Sequence, residues 1–115
     1  MTMRRTLALV AAVALLALGC AAPITVCPGG RGHPTVFRVR SDARAVLLSG
    51  TMTGWRPWPL QRHGRDFELA LELPPGRHEY RLEIVDDHGA HVVFSEGSER
   101  TADGFGGENA VVRVQ

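Results

Sequence analysis

Two stretches of alternating side chains, with a turn between them that no strand can run through, limit what this chain can fold into. Phe67, Leu69, Leu71 and Leu73 alternate with Glu68, Ala70 and Glu72, and Tyr80, Leu82 and Ile84 alternate with Arg81 and Glu83. A period of two sends successive side chains to opposite faces, so both segments read as half-buried strands with their apolar sets turned to one core. Between them stands Pro74-Pro75-Gly76. The prolines cannot donate ladder hydrogen bonds and the glycine permits a reversal, so the chain breaks there.

Shorter runs of the same kind occupy Thr35–Arg40, residues 45–49 ending at Gly50, residues 90–95 after a turn at Asp87-His88-Gly89, and residues 110–114. Six or seven strands with no convincing helix predict an all-β, two-sheet antiparallel sandwich over residues 35–115. A domain of about 80 residues is small for a core but large enough to fold alone. With 44% hydrophobic and 22% charged residues the chain is not of the disordered class. All 13 basic residues are arginine and the net charge is +1, so no nucleic-acid partner is expected.

The first residues are of another kind. Arg4 and Arg5 precede an apolar run over residues 7–18, too short to span a bilayer, and Leu18-Gly19-Cys20-Ala21 follows directly. This reads as a signal-peptide helix over residues 1–19 ending in a bacterial lipoprotein box, with Cys20 as the lipidated residue; position 17, usually Leu in such boxes, is Ala. Ordinary cleavage after Ala21 or Ala22 is the alternative, and would give a soluble secreted protein. Residues 20–34, with Pro23, Pro28, Gly29, Gly30, Gly32 and Pro34, read as a tether. Cys27 within it is either a lone thiol or the partner of a cysteine on another chain.

Chemistry-bearing clusters are few. Asp86, Asp87, His88 and His91 around the hairpin, and Glu96, Glu99, Asp103 and Glu108 in the late loop, lack the spacing of a zinc or calcium site, so no metal and no cofactor are expected. No nucleophile elbow, phosphate loop or cysteine–histidine pair is present, and no carboxylates are set across a recognisable cleft. The chain reads as a binding module, not an enzyme.

A more specific pattern runs through the strands. Val46-Leu47-Leu48-Ser49-Gly50 is followed by Trp55, Pro59-Leu60 and Phe67-Glu68-Leu69, then by Leu73-Pro74-Pro75-Gly76-Arg77-His78-Glu79-Tyr80-Arg81-Leu82, and finally by Phe105-Gly106-Gly107-Glu108-Asn109-Ala110-Val111-Val112-Arg113-Val114. In this order, from about Pro34 to Gln115, the chain resembles the glycogen-binding domains of the AMP-activated protein kinase β subunit type, members of the family-48 carbohydrate-binding modules or isoamylase-type early-set domains. The resemblance implies an immunoglobulin-like sandwich that binds α-glucan: glycogen, starch or maltooligosaccharide. It implies a site made of Trp55 at the first Trp position, Arg81 in place of a Lys, Phe105 at an apolar position of the late loop, and Asn109. The second Trp of the pattern is missing, with His91 its nearest occupant, and Gly107 stands in place of a hydroxyl residue. The expected function is therefore non-catalytic α-glucan binding on a cell-envelope lipoprotein facing the periplasm or cell surface, with membrane contact through the lipid only. The alternative is a sandwich that has lost sugar binding and serves as a structural domain or contacts another envelope protein.

Overall fold

The computed structural model describes residues 22–115. Arg4, Arg5, the apolar run and Cys20 lie outside the described residues. Ten strands form: β1 (Ile24–Cys27), β2 (Thr35–Arg40), β3 (Ala45–Gly50), β4 (Trp58–Pro59), β5 (Gln61–His63), β6 (Asp66–Leu71), β7 (Gly76–Asp86), β8 (Gly89–Val93), β9 (Glu99–Ala102) and β10 (Glu108–Val114). All pairings are antiparallel. One sheet has the order β1-β2-β6-β5; the other runs β4-β3-β7-β10-β9, with β8 pairing the second half of β7. Among the described residues there is no α-helix, only a 3-10 turn at Thr51–Thr53. This is the expected immunoglobulin-like, early-set antiparallel sandwich.

The core follows from the alternation. Phe37 and Val39 of β2 and Phe67 of β6 face Val46 and Leu48 of β3, Tyr80 and Leu82 of β7, and Ala110 and Val112 of β10, all buried. The Phe37 and Tyr80 rings meet across the sandwich edge to face, with centroids 5.2 Å apart at 71°. Leu60, between β4 in one sheet and β5 in the other, is buried where the chain crosses, and its N–H bonds the Val46 carbonyl at 2.9 Å. Because Tyr80 and Leu82 point inward, Glu79, Arg81 and Glu83 point outward; that alternation creates the site.

Several expectations need correction. The tether assigned to residues 20–34 contains a strand: β1 pairs β2 in the register Ile24↔Val39 to Cys27↔Val36, and Ile24 and Val26 pack on the core. The Pro and Gly residues on either side hid a four-residue alternation that the other sheet edge makes worth burying. The very short β4, β5 and β9 were also unread, being too brief to show a period. Leu71 is only half-buried, because β6 ends there at the rim of the sandwich. Trp58 is half-exposed on the edge strand β4.

Candidate functional site

The outer face of the six-stranded sheet carries a cleft of about 380 Å³ lined by Trp55, Glu79, Arg81, Asp103, Phe105 and Asn109. Four of the five expected sugar-site residues, Trp55, Arg81, Phe105 and Asn109, meet there from three different parts of the chain.

A tight turn holds Trp55. The Gly50 N–H bonds the Thr53 hydroxyl at 3.0 Å, that hydroxyl donates back to the Gly50 carbonyl at 3.1 Å, and the Trp55 N–H closes onto the same carbonyl at 2.9 Å. Glycine is required at position 50, since a Cβ there would lie 2.5 Å from the Glu79 carbonyl oxygen. Gly54 and Trp55 both have φ of 63°. For glycine that is ordinary; for a bulky side chain it is strained, by about 1–3 kcal/mol, and such strain persists where the surrounding structure enforces it. The indole that results is 45% exposed.

The opposite wall is the loop between β9 and β10, and Asp103 organises it. Its Oδ1 accepts the N–H groups of Phe105 at 2.7 Å and Gly107 at 3.0 Å, while its own N–H bonds the Gly107 carbonyl at 3.1 Å. Its Oδ2 accepts Arg81 Nη2 at 3.1 Å. The Phe105 and Gly107 amides, and after them the Arg81 charge, hold the Asp103 carboxyl below the usual carboxylate range. Phe105 projects from the tip of this loop, 95% exposed.

Arg81 joins the walls. The same Nη2 reaches Asn109 Oδ1 at 3.2 Å, and Asn109 is itself buried on β10. The guanidinium is thus fixed by a carboxylate and an amide, while its Nε is buried without a partner. On the far side of Phe105 a second cleft of about 490 Å³ is lined by Arg81, Val92, Phe94, Asp103, Phe105, Gly106, Gly107 and Glu108.

The structure does not bring His91 to either cleft. β7 and β8 are joined by a two-residue turn, pairing Asp86 with Gly89, Ile84 with His91 and Glu83 with Val92. His91 therefore shares the face of Ile84, with Nε2 3.2 Å from Asp86 Oδ1, and Val92 is the residue of β8 beside Arg81 and Glu83. Being near that position in sequence does not fix the face, since one residue of register reverses it. Asp103, Glu79, Val92 and Phe94 escaped the sequence reading. Asp103 had a usable signal: an Asp opening a glycine-rich loop favours a side-chain turn onto the backbone two residues on.

Chemically the arrangement suits binding. An indole and a phenyl ring offer apolar platforms to the C–H face of a sugar, and Arg81, Asn109 and Asp103 offer donors and acceptors to its hydroxyls. It does not suit acid–base hydrolysis: Asp103 is held ionised with its oxygens already bonded, and the Glu79 carboxylate is taken by Arg77 at 3.1 Å.

Residues 33–115 match the family described as the glycogen recognition site of AMP-activated protein kinase. The chain belongs to this family. Its members are carbohydrate-recognition domains without catalytic function. This chain is 38% identical over 61 residues to 5'-AMP-activated protein kinase subunit beta-1 of Sus scrofa, a match covering 53% of the chain and 49% of that protein. The Homo sapiens beta-1 subunit shows the same identity over 22% of its length. The beta-2 subunit of Mus musculus is 34% identical over 68 residues, 58% of this chain and 25% of that one. The chain thus spans half or less of the relatives it matches.

Proposed function

We propose that this chain is a non-catalytic binding module for α-glucan, in the form of glycogen, starch or maltooligosaccharide, carried on a cell-envelope lipoprotein anchored through Cys20. The observation that carries the reading is the convergence of Trp55, Arg81, Phe105 and Asn109 on one cleft. Nothing in the core needs a Trp at a strained φ or a bare Phe at a loop tip, whereas exposed rings are what sugar stacking uses. Hydrogen bonds from Arg81 and Asn109 to hydroxyls add about 0.5–1.5 kcal/mol each, or up to about 3 when charged, and stacking on Trp55 supplies apolar burial. The anchor reading rests on the sequence of residues 4–21. Retention of the purified protein on amylose, competed by maltoheptaose, tests the binding; a folded protein that passes through unretained refutes it. Cys20→Ser should release the protein from membranes, and a wild type already soluble and starting at Ala22 or Pro23 refutes the anchor.

A second reading has one specific observation in its favour. Trp55, Val92 and Phe105 form an exposed apolar strip, and Val92 does not offer the flat ring that sugar stacking uses. On that reading the strip contacts another envelope protein, and amylose retains nothing.

A further inference from the structure

Of the groups lining the two clefts, Arg81 is the one cation, against the carboxylates of Glu79, Asp103 and Glu108. An arginine facing a cleft ordinarily attracts carboxylate or phosphate, because its planar fork binds either through two parallel bonds. Here one nitrogen of the fork is already engaged: Nη2 bonds Asp103 Oδ2 at 3.1 Å and Asn109 Oδ1 at 3.2 Å, so the charge that would draw an anion is paired with a carboxylate of the chain itself. The Asp103 side chain is 11% exposed, so little water screens it from a ligand in the cleft.

We propose that Asp103 is the specificity-determining residue of this site: by tying Arg81 into an ion pair it makes the clefts accept uncharged polyhydroxylated sugar chains and reject chains bearing carboxylate or phosphate. The inference rests on the sugar-binding reading above and adds what that reading leaves open, the charge of the glycan. Rejection of a wrong ligand is commonly built from an unpaired or like charge placed against it. An anionic sugar seated against Arg81 would meet Asp103 on the same guanidinium and the exposed Glu108 beside the second cleft, while Glu79, paired with Arg77, adds little. Asp103 has no escape by protonation, because the Phe105 and Gly107 amides stabilise its charged form.

Gly107 belongs to the same device. A Cβ at that position would lie 2.7 Å from Asp103 Oδ2, the oxygen that holds Arg81. The resemblance puts a hydroxyl residue at 107; with Asp103 in this conformation glycine is needed, and the carboxylate fills the space instead.

The test compares two probes by titration calorimetry at low salt: maltoheptaose, and maltoheptaose whose primary hydroxyls have been oxidised to carboxylates. The wild type should prefer the neutral chain by about tenfold or more, the scale of one charge-assisted interaction. Asp103→Asn keeps an oxygen for the Phe105 and Gly107 amides but loses the charge. The preference should then fall to near parity or invert, with affinity for the oxidised chain rising in absolute terms. A site that merely lost its shape would weaken for both probes alike. Glu108→Gln removes an exposed carboxylate from the rim of the second cleft without touching the Arg81 pair, and should narrow the preference about two- to threefold. If Asp103→Asn fails to fold, Gly107→Ala, which crowds the carboxylate off Arg81, reads the same ratio. A wild type that binds both probes equally, or a folded Asp103→Asn that keeps its tenfold preference, overturns the inference while sugar binding stands. A wild type that binds neither probe overturns the sugar-binding reading and this inference with it.

Discussion

The two outer faces of the sandwich use the same residue types in opposite ways. On the four-stranded sheet, Arg38 of β2 stands directly opposite Glu68 of β6, and Arg40 opposite Asp66, at 3.3 Å and 3.2 Å. These charges are partly open to solvent and meet one another. On the six-stranded sheet the carboxylate of the pair Arg81–Asp103 is drawn inward and the pair is fixed by Asn109 and backbone amides, while Trp55, Phe105 and Val92 are left bare. A face that needs only solubility displays its charges and hides its apolar groups. A recognition face does the reverse, because a bound partner rather than water will cover the apolar groups, and because polar groups must be held in place before it arrives.

The largest expected effect removes the contrast altogether. Both faces hang on one core, and Leu48 is fully buried on β3, beneath the outward-facing Ser49 that pairs with Arg81. Leu48→Ala should cost about 2–5 kcal/mol in denaturant unfolding. Sugar retention and the pairing of β2 with β6 should fail together. Loss of retention at unchanged stability would mean that the recognition face does not depend on this core.

Trp55→Ala sharpens the contrast, since it should separate binding from folding. Retention on amylose should fall about tenfold or more, the worth of a stacked ring. The melting temperature should stay within a few degrees, because the indole is half-exposed and its backbone strain argues for no stabilising role. Trp55→Gly, which adopts a φ of 63° freely, should be at least as stable as the alanine variant. Thermal scans and retention on the same preparations decide it; a loss of about 3 kcal/mol or more would make Trp55 a structural residue.

The contrast also has a pH signature. Asp103 has its carboxyl held below the ordinary value of 3.8, chiefly by the Phe105 and Gly107 amides. A lowered folded value means the stabilisation is fully present above 3.8 and is lost as pH falls through the lower folded value. Glu99, lowered from 4.5 mainly by its hydrogen bonds from Arg113, adds a second acid-sensitive contact. Sugar retention should therefore be flat from about pH 7 to 5 and fall only below about pH 4. Asp103→Asn should lack its part of that acid limb. A midpoint near neutrality in the wild type would contradict the assignment.

How much of this was legible in the sequence depended on how long each pattern ran. β6 and β7 alternate for six residues or more, and their inward and outward sets were readable from Phe67 to Ile84. β1, β4, β5 and β9 have two to four residues each, too few for a period, and only a neighbouring strand defines them. Trp55, Arg81, Phe105 and Asn109 were named through an ordered resemblance, and the fold brings all four to one cleft. His91 was named as the nearest occupant of a missing platform position, and the two-residue turn of the hairpin sets it opposite Ile84, away from both clefts. Asp103 acts through backbone amides of its own loop; the Asp before Gly104 signals that local turn, but not its pairing with Arg81 on a distant strand.

The smallest expected effect tests the other half of the contrast. Glu68→Ala breaks the cross-strand pair with Arg38 on the four-stranded sheet. Both side chains are partly open to water, so the Coulomb gain is screened, and holding two long side chains in one geometry costs entropy. Arg38 left alone can turn to solvent, so no buried charge is stranded. The expected loss is at most about 0.5 kcal/mol, with sugar retention unchanged. Arg81→Ala on the other face strands Asp103, a carboxylate only 11% exposed that cannot turn to water without giving up its loop. That variant should therefore lose more than Glu68→Ala in both stability and retention. Equal losses from the two variants, measured by urea unfolding and amylose retention, would mean the Arg81–Asp103 pair is one more solvated ion pair, and that the six-stranded sheet's outer face is no more built for recognition than its counterpart.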